Sequence, residues 1–222
     1  MERSEACYAS REEAGHRLAA TVGSRLGAVD LVVGAARGGM LVAWPVAKAL
    51  GVPLDVRVVR KIGAPGQPER ALGAVLPDGA AYWLEGVSPL PQASARPALA
   101  DAFARQARER EALYRTVRPR LAVKGRRVLL VDDGAATGAT LLALIASLRG
   151  EGAATVLLTL PVAPPETVSL LEAHVEELWV PEQPRDLWAV GMAYAAFPEV
   201  SDIEVLNLLR EAQTSGHAPE AA

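Results

Sequence analysis

A single cysteine, Cys7, in 222 residues excludes a disulfide framework and a multi-cysteine zinc site. Lysine is almost as scarce: Lys48, Lys61 and Lys124 are the only three, and arginine supplies the rest of the 23 basic residues. Set against 26 acidic residues they leave a formal net charge of −3, so no overall basic field points to nucleic acid or an anionic membrane. Apolar runs are short, and none approaches the ~18 residues that span a bilayer. The start, Met1-Glu2-Arg3-Ser4-Glu5, is charged with no apolar stretch behind it and does not read as a signal peptide. His16, His174 and His217 are too scattered for a Ser/His/Asp or metal constellation. Cys7 has no visible positive helix end or His partner, which favours an inert thiol over a nucleophile. What remains is a soluble, cytoplasmic, globular chain, in the range of one domain of roughly 100–200 residues or one domain with an appendage.

The order of apolar patterns is that of an α/β protein. Ala14, Leu18, Val22 and Leu26 repeat every four residues over 11–26 as one helix face, with Ser10 and Glu13 placed as a capping box. The run 31–34 is short and β-branched and reads as a buried strand; a helix over 40–50 and a strand over 54–59 follow. Residues 61–73, rich in Gly and Pro, predict an exposed, mobile loop. Strands at 74–76 and 81–84 flank the turn residues Pro77-Asp78-Gly79. A Pro-rich link over 88–97 leads to a long helix ending near 117, whose charges read as a solvated face. Strands at 127–132, 155–160 and 175–180 alternate with helices at 138–148 and 166–173. A last helix over 203–209 and a disordered tail complete the chain. This alternation predicts a parallel sheet with right-handed crossovers.

The chemistry concentrates in Val128-Leu129-Leu130-Val131-Asp132-Asp133-Gly134-Ala135-Ala136-Thr137-Gly138-Ala139-Thr140. Four apolar residues make a strand, two acids stand at its carboxyl end, and a loop of small residues turns into a helix. Free N–H groups and the helix dipole make that junction an anion site, to which Thr137 and Thr140 add hydroxyls. Carboxylates beside a phosphate site need another task, and holding vicinal sugar hydroxyls, directly or through a metal, is one. Phosphate and diol together describe a phosphorylated ribose. Taken alone, the segment also fits another phosphate binder or a response-regulator-like acidic pocket. It lacks the Gly-Lys-Ser/Thr ending of a P-loop, and it does not follow the first strand as a dinucleotide fold requires. Ala36-Arg37-Gly38-Gly39 ends the first strand, where ligands bind in open α/β sheets, and offers backbone N–H groups and a guanidinium to an anion. Arg60-Lys61, before the Gly/Pro stretch, suits a lid over a polyanion.

Residues 128–140 resemble the phosphoribosyl pyrophosphate (PRPP) motif of type I phosphoribosyltransferases. The chain is most similar to a group of predicted bacterial members, matched also at Arg11-Glu12-Glu13-Ala14-Gly15, Arg60-Lys61-Ile62-Gly63-Ala64-Pro65-Gly66, Gly73-Ala74-Val75 and Val200-Ser201-Asp202-Ile203-Glu204-Val205. It departs from that group at Ala36, usually Pro, at Ala135, usually bulkier, and at Ala195 and Ala196, where acidic residues are common. The resemblance implies one Rossmann-like parallel-sheet domain over 1–211, with a core of about 28–180, a small hairpin lid, a hood of about 181–211 built with the chain ends, and a tail over 212–222.

By the same resemblance, Asp132 and Asp133 hold the ribose hydroxyls, and Gly134, Ala135, Ala136, Thr137, Gly138, Ala139 and Thr140 wrap the 5′-phosphate. Ala36, Arg37, Gly38, Gly39, Arg60 and Lys61 meet the pyrophosphate. Catalysis is assigned to Asp132, Asp133, Lys61 and Arg37. Trp188, Tyr194 and Phe197 are acceptor candidates as much as core residues. Mg²⁺ is the implied cofactor, bound mainly through substrate and also through Asp132 and Asp133. The implied reaction moves the phosphoribosyl group from PRPP to a small nitrogenous acceptor in nucleotide metabolism; a non-catalytic PRPP-binding regulator is the alternative. In 6-oxopurine enzymes an Asp precedes the Thr-Gly pair, and here that position is Ala136, which disfavours 6-oxopurines. No nucleic-acid or membrane partner is implied, and a homodimer is the default for such folds.

Overall fold

The short apolar runs pair into one parallel sheet, because each is apolar on both faces and needs two cores to bury it. The computed structural model describes residues 6–64, 67–84 and 91–214, with backbone alone at 67–70. In chain order, α1 (Arg11–Leu26), β1 (Leu31–Ala36), α2 (Gly39–Leu50) and β2 (Leu54–Val58) come first. Next are β3 (Arg60–Ala64), β4 (Gln67–Val75), β5 (Ala81–Trp83) and α3 (Arg96–Arg115). Then follow β6 (Arg127–Val131), α4 (Ala139–Gly150), β7 (Thr155–Thr159), α5 (Pro165–Glu172), β8 (Glu177–Trp179) and α6 (Asp202–Thr214). The parallel sheet has the order β2-β1-β6-β7-β8.

Strand alternation sorts the side chains between two cores. Val32, Leu129 and Val131 pack with α1, α2 and α6 on one face. Leu31, Val33, Val128 and Leu130 pack with α4 on the other. This is the α/β class expected from the sequence. It brings the ends of β1 and β6, adjacent and in register, to one edge of the sheet.

Two expectations need correction. Residues 61–73 are not a loop: β3 and β4 pair antiparallel and, with β5, form a three-stranded sheet. Ile62 and Leu72 are fully buried against Ala100 and Ala104 of α3, and that burial outweighs the breaker composition. Register shifts at 62–64 absorb the irregular glycine, as a bulge does. Pro65 and Gly66 lie outside the described residues. Likewise, α6 runs through Thr214, so 212–214 are helical, while the rest of the expected tail lies outside the described residues.

The charges of α3 are also less solvated than the sequence suggests. Asp55, on the edge strand β2, is fully buried. One carboxylate oxygen accepts from Arg115 Nη1 at 2.7 Å and from the Val56 N–H at 2.8 Å; the other accepts from the Leu121 N–H at 3.0 Å and from Arg57. Glu111 in turn accepts from Arg115 and Arg120. These bonds fasten the end of α3 to the sheet edge. Removing one member of a buried ion pair strands the others without solvent, which costs about 3–5 kcal/mol. Asp55→Ala is therefore expected to lower unfolding stability by about that amount in urea titrations. A loss under about 1 kcal/mol contradicts this account of the α3–β2 junction.

Candidate functional site

Asp132 and Asp133 follow directly on β6 and fold back on each other. Asp132 Oδ1 accepts the Asp133 N–H at 2.9 Å, and Asp133 Oδ2 accepts Arg11 Nε at 2.6 Å. Burial raises the pKa of both acids; Asp133's charge pushes Asp132 further, whereas Arg11 pulls Asp133 back down. The Asp133 carboxyl still keeps 14% of its exposure, so a ligand can reach it. The turn ahead of α2 lies against this pair. A Cβ at Gly38 would stand 1.9 Å from Asp133 Oδ2, and one at Gly39 would stand 2.7 Å from Asp132 Oδ1. Only glycine permits that approach.

The loop after the acids is shaped by two further glycines. Gly134 has φ +146°, and a Cβ there would meet Val190 at 2.7 Å; Gly138 has φ +74° and caps α4. The loop is pinned from behind: the Ala135 N–H donates to the Val162 carbonyl at 3.0 Å, and Thr167 Oγ1 donates to the Ala136 carbonyl at 2.7 Å. No side chain caps α4, and no acidic residue occupies its first turn. Bare N–H groups and an unopposed dipole end there, with Thr137 exposed and Thr140 half-buried, a combination suited to an anion.

Beside it opens a cleft of about 920 Å³, lined by Ala36, Arg37 and Gly38 and by Arg60 and Lys61 of β3. The Ala36–Arg37 peptide is cis. Arg37 pairs with Glu199, and Arg110 of α3 pairs with Asp202 at 2.9 Å. Among the described residues, Arg60 Nε is buried without a hydrogen-bond partner. Burial, with Arg110 and Arg37 nearby, lowers its pKa.

The segment after β8 meets the start of the chain over the sheet's edge. The Tyr8 N–H donates to the Ala193 carbonyl at 3.0 Å, and the N–H groups of Ala195 and Ala196 donate to the Tyr8 and Ala9 carbonyls. Tyr194 is buried, and its hydroxyl donates to the Asp133 carbonyl at 2.5 Å. The Arg11 guanidinium lies 3.5 Å from the centre of the Phe197 ring and donates to the Pro198 carbonyl at 2.7 Å.

A family profile described as a phosphoribosyl transferase domain matches residues 12–196. The chain belongs to the phosphoribosyl transferase family. Two Mycobacterium tuberculosis proteins, from strains CDC 1551 / Oshkosh and ATCC 25618 / H37Rv, are provisionally named as phosphoribosyl transferases. Each is 38% identical over 214 residues, or 92% of this chain and 47% of its own length. The chain thus spans about half the length of these relatives. The crystal structure of TT1426 from Thermus thermophilus is 41% identical, with a TM-score of 0.77 over 92% of this chain and 98% of that one.

In this phosphoribosyl transferase domain, most residues singled out from the sequence converge. The acid pair, the 134–140 loop, the 36–39 turn and Arg60-Lys61 share one region. The three aromatic candidates part company: Phe197 lines the cleft, Tyr194 is buried beneath the acids, and Trp188 is 83% exposed and outside the cleft. Sequence reasoning placed Arg11 at a helix start, within the 11–15 stretch that resembles the family, and Arg110 on a solvated face. No local pattern reveals either contact, because both partners are distant in sequence. Among the described residues no cluster of three or more His, Cys, Asp or Glu could hold a metal, and no helix is long and apolar enough to cross a membrane.

The acid pair carries a consequence for stability. Because the fold holds the Asp132 proton more tightly than the unfolded chain does, stability falls as pH rises from the unfolded pKa toward the folded one. Asp132→Asn mimics the protonated form. It should raise Tm near pH 8, by about 2–4 °C for each kcal/mol relieved, and give no gain below about pH 4. A lower Tm near pH 8 contradicts the placement of a buried, self-repelling pair.

Proposed function

We propose that this domain transfers the 5-phosphoribosyl group of PRPP to a small nitrogenous acceptor and releases pyrophosphate. The observation that carries this reading is the contact between the 36–39 turn and the acid pair, beside the uncapped start of α4. An acid pair lying between an uncapped helix start and an arginine-bearing turn supports this reading, because it matches the charge pattern of PRPP. The bare N–H groups at the start of α4 take the 5′-phosphate, with Thr137 and Thr140. Asp132 and Asp133 accept hydrogen bonds from the ribose hydroxyls. Arg37, Arg60 and Lys61 receive the pyrophosphate, and the Arg60 Nε gains the acceptor it lacks.

The bond from C1 to the pyrophosphate oxygen breaks as the acceptor nitrogen's lone pair forms the new C1–N bond. Positive charge grows on the sugar beside the two carboxylates, and negative charge grows on the leaving group beside the arginines. Catalysis by this chain is therefore positioning and fixed electrostatics, with no covalent nucleophile. The donor set fits Mg²⁺: of two adjacent carboxylates only Asp133 is paired with an arginine, so a further cation is favoured there. Asp132 and Asp133 would hold it together with substrate oxygens, and the chemistry it supplies is neutralisation of the leaving pyrophosphate.

On the acceptor side, Ala136 offers no acid–base group, and its carbonyl is occupied by Thr167. Hypoxanthine and guanine are therefore expected to be poor acceptors. The test is pyrophosphate release from PRPP and Mg²⁺ across a panel of bases, repeated with Asp133→Asn. Release with one or more acceptors is expected, and the variant should lose about a hundredfold or more in kcat/KM for PRPP. Rapid turnover of hypoxanthine or guanine overturns the acceptor argument. PRPP binding without release across the panel turns the reading to a PRPP-binding regulator.

A further inference from the structure

Arg11 makes contacts that neither helix capping nor core packing requires. It begins α1 and is buried to 7% exposure. Its Nε donates to Asp133 at 2.6 Å, its Nη1 donates to the Pro198 carbonyl at 2.7 Å, and its guanidinium plane covers Phe197 at 3.5 Å. A Cβ at Gly38 would stand 2.9 Å from the same Nε. One rigid fork thus touches the acid of the ribose site, the backbone of the segment roofing the cleft, and the turn before α2. The segment 197–200 also lines the cleft.

We infer that Arg11 is a positioning residue that couples the ribose site to the hood, so that filling the first orders the second. The inference rests on the phosphoribosyl reading of the acid pair. Ribose hydroxyls bound to Asp133 fix that carboxylate, and the carboxylate fixes the guanidinium through a charge-assisted bond. The guanidinium in turn holds Phe197 by cation–π contact and Pro198 by its carbonyl. Lysine cannot replace this fork, because a single ammonium cannot serve both acceptors in one plane and stack on a ring.

The test needs no knowledge of the acceptor. PRPP with Mg²⁺ is titrated into the wild type, Arg11→Lys and Phe197→Leu, and hydrogen exchange of the amides in 193–200 is followed at saturation. In the wild type, PRPP should slow that exchange about tenfold or more. Arg11→Lys should weaken PRPP binding about tenfold, the factor expected for one charge-assisted hydrogen bond, and should lose the slowing even at saturation. Phe197→Leu keeps the Arg11–Asp133 pair and should lose most of the slowing. Wild-type affinity with full slowing in Arg11→Lys overturns the coupling. If Arg11→Lys does not fold, full slowing in Phe197→Leu overturns it instead. Failure of the wild type itself to bind PRPP removes the phosphoribosyl reading and this inference with it.

Discussion

Two carboxylates in sequence, packed under glycine backbone and served by one guanidinium, are the constraint on which the site is built. Such a pair is costly to bury, since each acid raises the energy of ionising the other. The fold meets part of that cost with the Asp133 N–H and Arg11 and leaves part of it outstanding. The unmet part makes the pair receptive to hydroxyl donors and to a cation. Close packing by Gly38 and Gly39 then determines what lies beside it: the start of α2 sits directly against the acids.

The rest of the fold serves that arrangement. Parallel strands deliver β1 and β6 to the same edge in register, and the helices that follow them start there with uncapped ends. Two apolar cores, one on each face, supply the rigidity that holds the polar edge in place. Arg37, Arg60 and Arg110 approach one cleft, and two of them are held by the carboxylates of Glu199 and Asp202. The negative net charge of the chain is compatible with this, because the positive field is local and faces inward.

Much of the candidate site was legible in the sequence, and the reason is locality. A strand, two acids and a small-residue turn into a helix occupy one continuous stretch, and each step has its own backbone logic. Arg37-Gly38-Gly39 was legible for the same reason. What escaped depended on distant partners. Arg11 and Asp133 meet only in the tertiary structure, as do Arg110 and Asp202, so no local pattern shows either pairing. The β3–β4 hairpin was misread because Gly and Pro frequency outweighed the spacing of Ile62 and Leu72, whose burial against α3 decides the matter. Aromatic residues after β8 share one composition and have three fates, which only packing separates.

The central claim is that one wall of this domain holds a 5′-phosphate, a ribose diol and a pyrophosphate side by side. The most direct measurement is the crystal structure of the protein with PRPP and Mg²⁺. The account predicts the 5′-phosphate on the backbone N–H groups of 136–140, the ribose hydroxyls on Asp132 and Asp133, and the pyrophosphate against Arg37 and Lys61. A phosphate seated away from the start of α4, or a ribose that leaves both acids untouched, would contradict it.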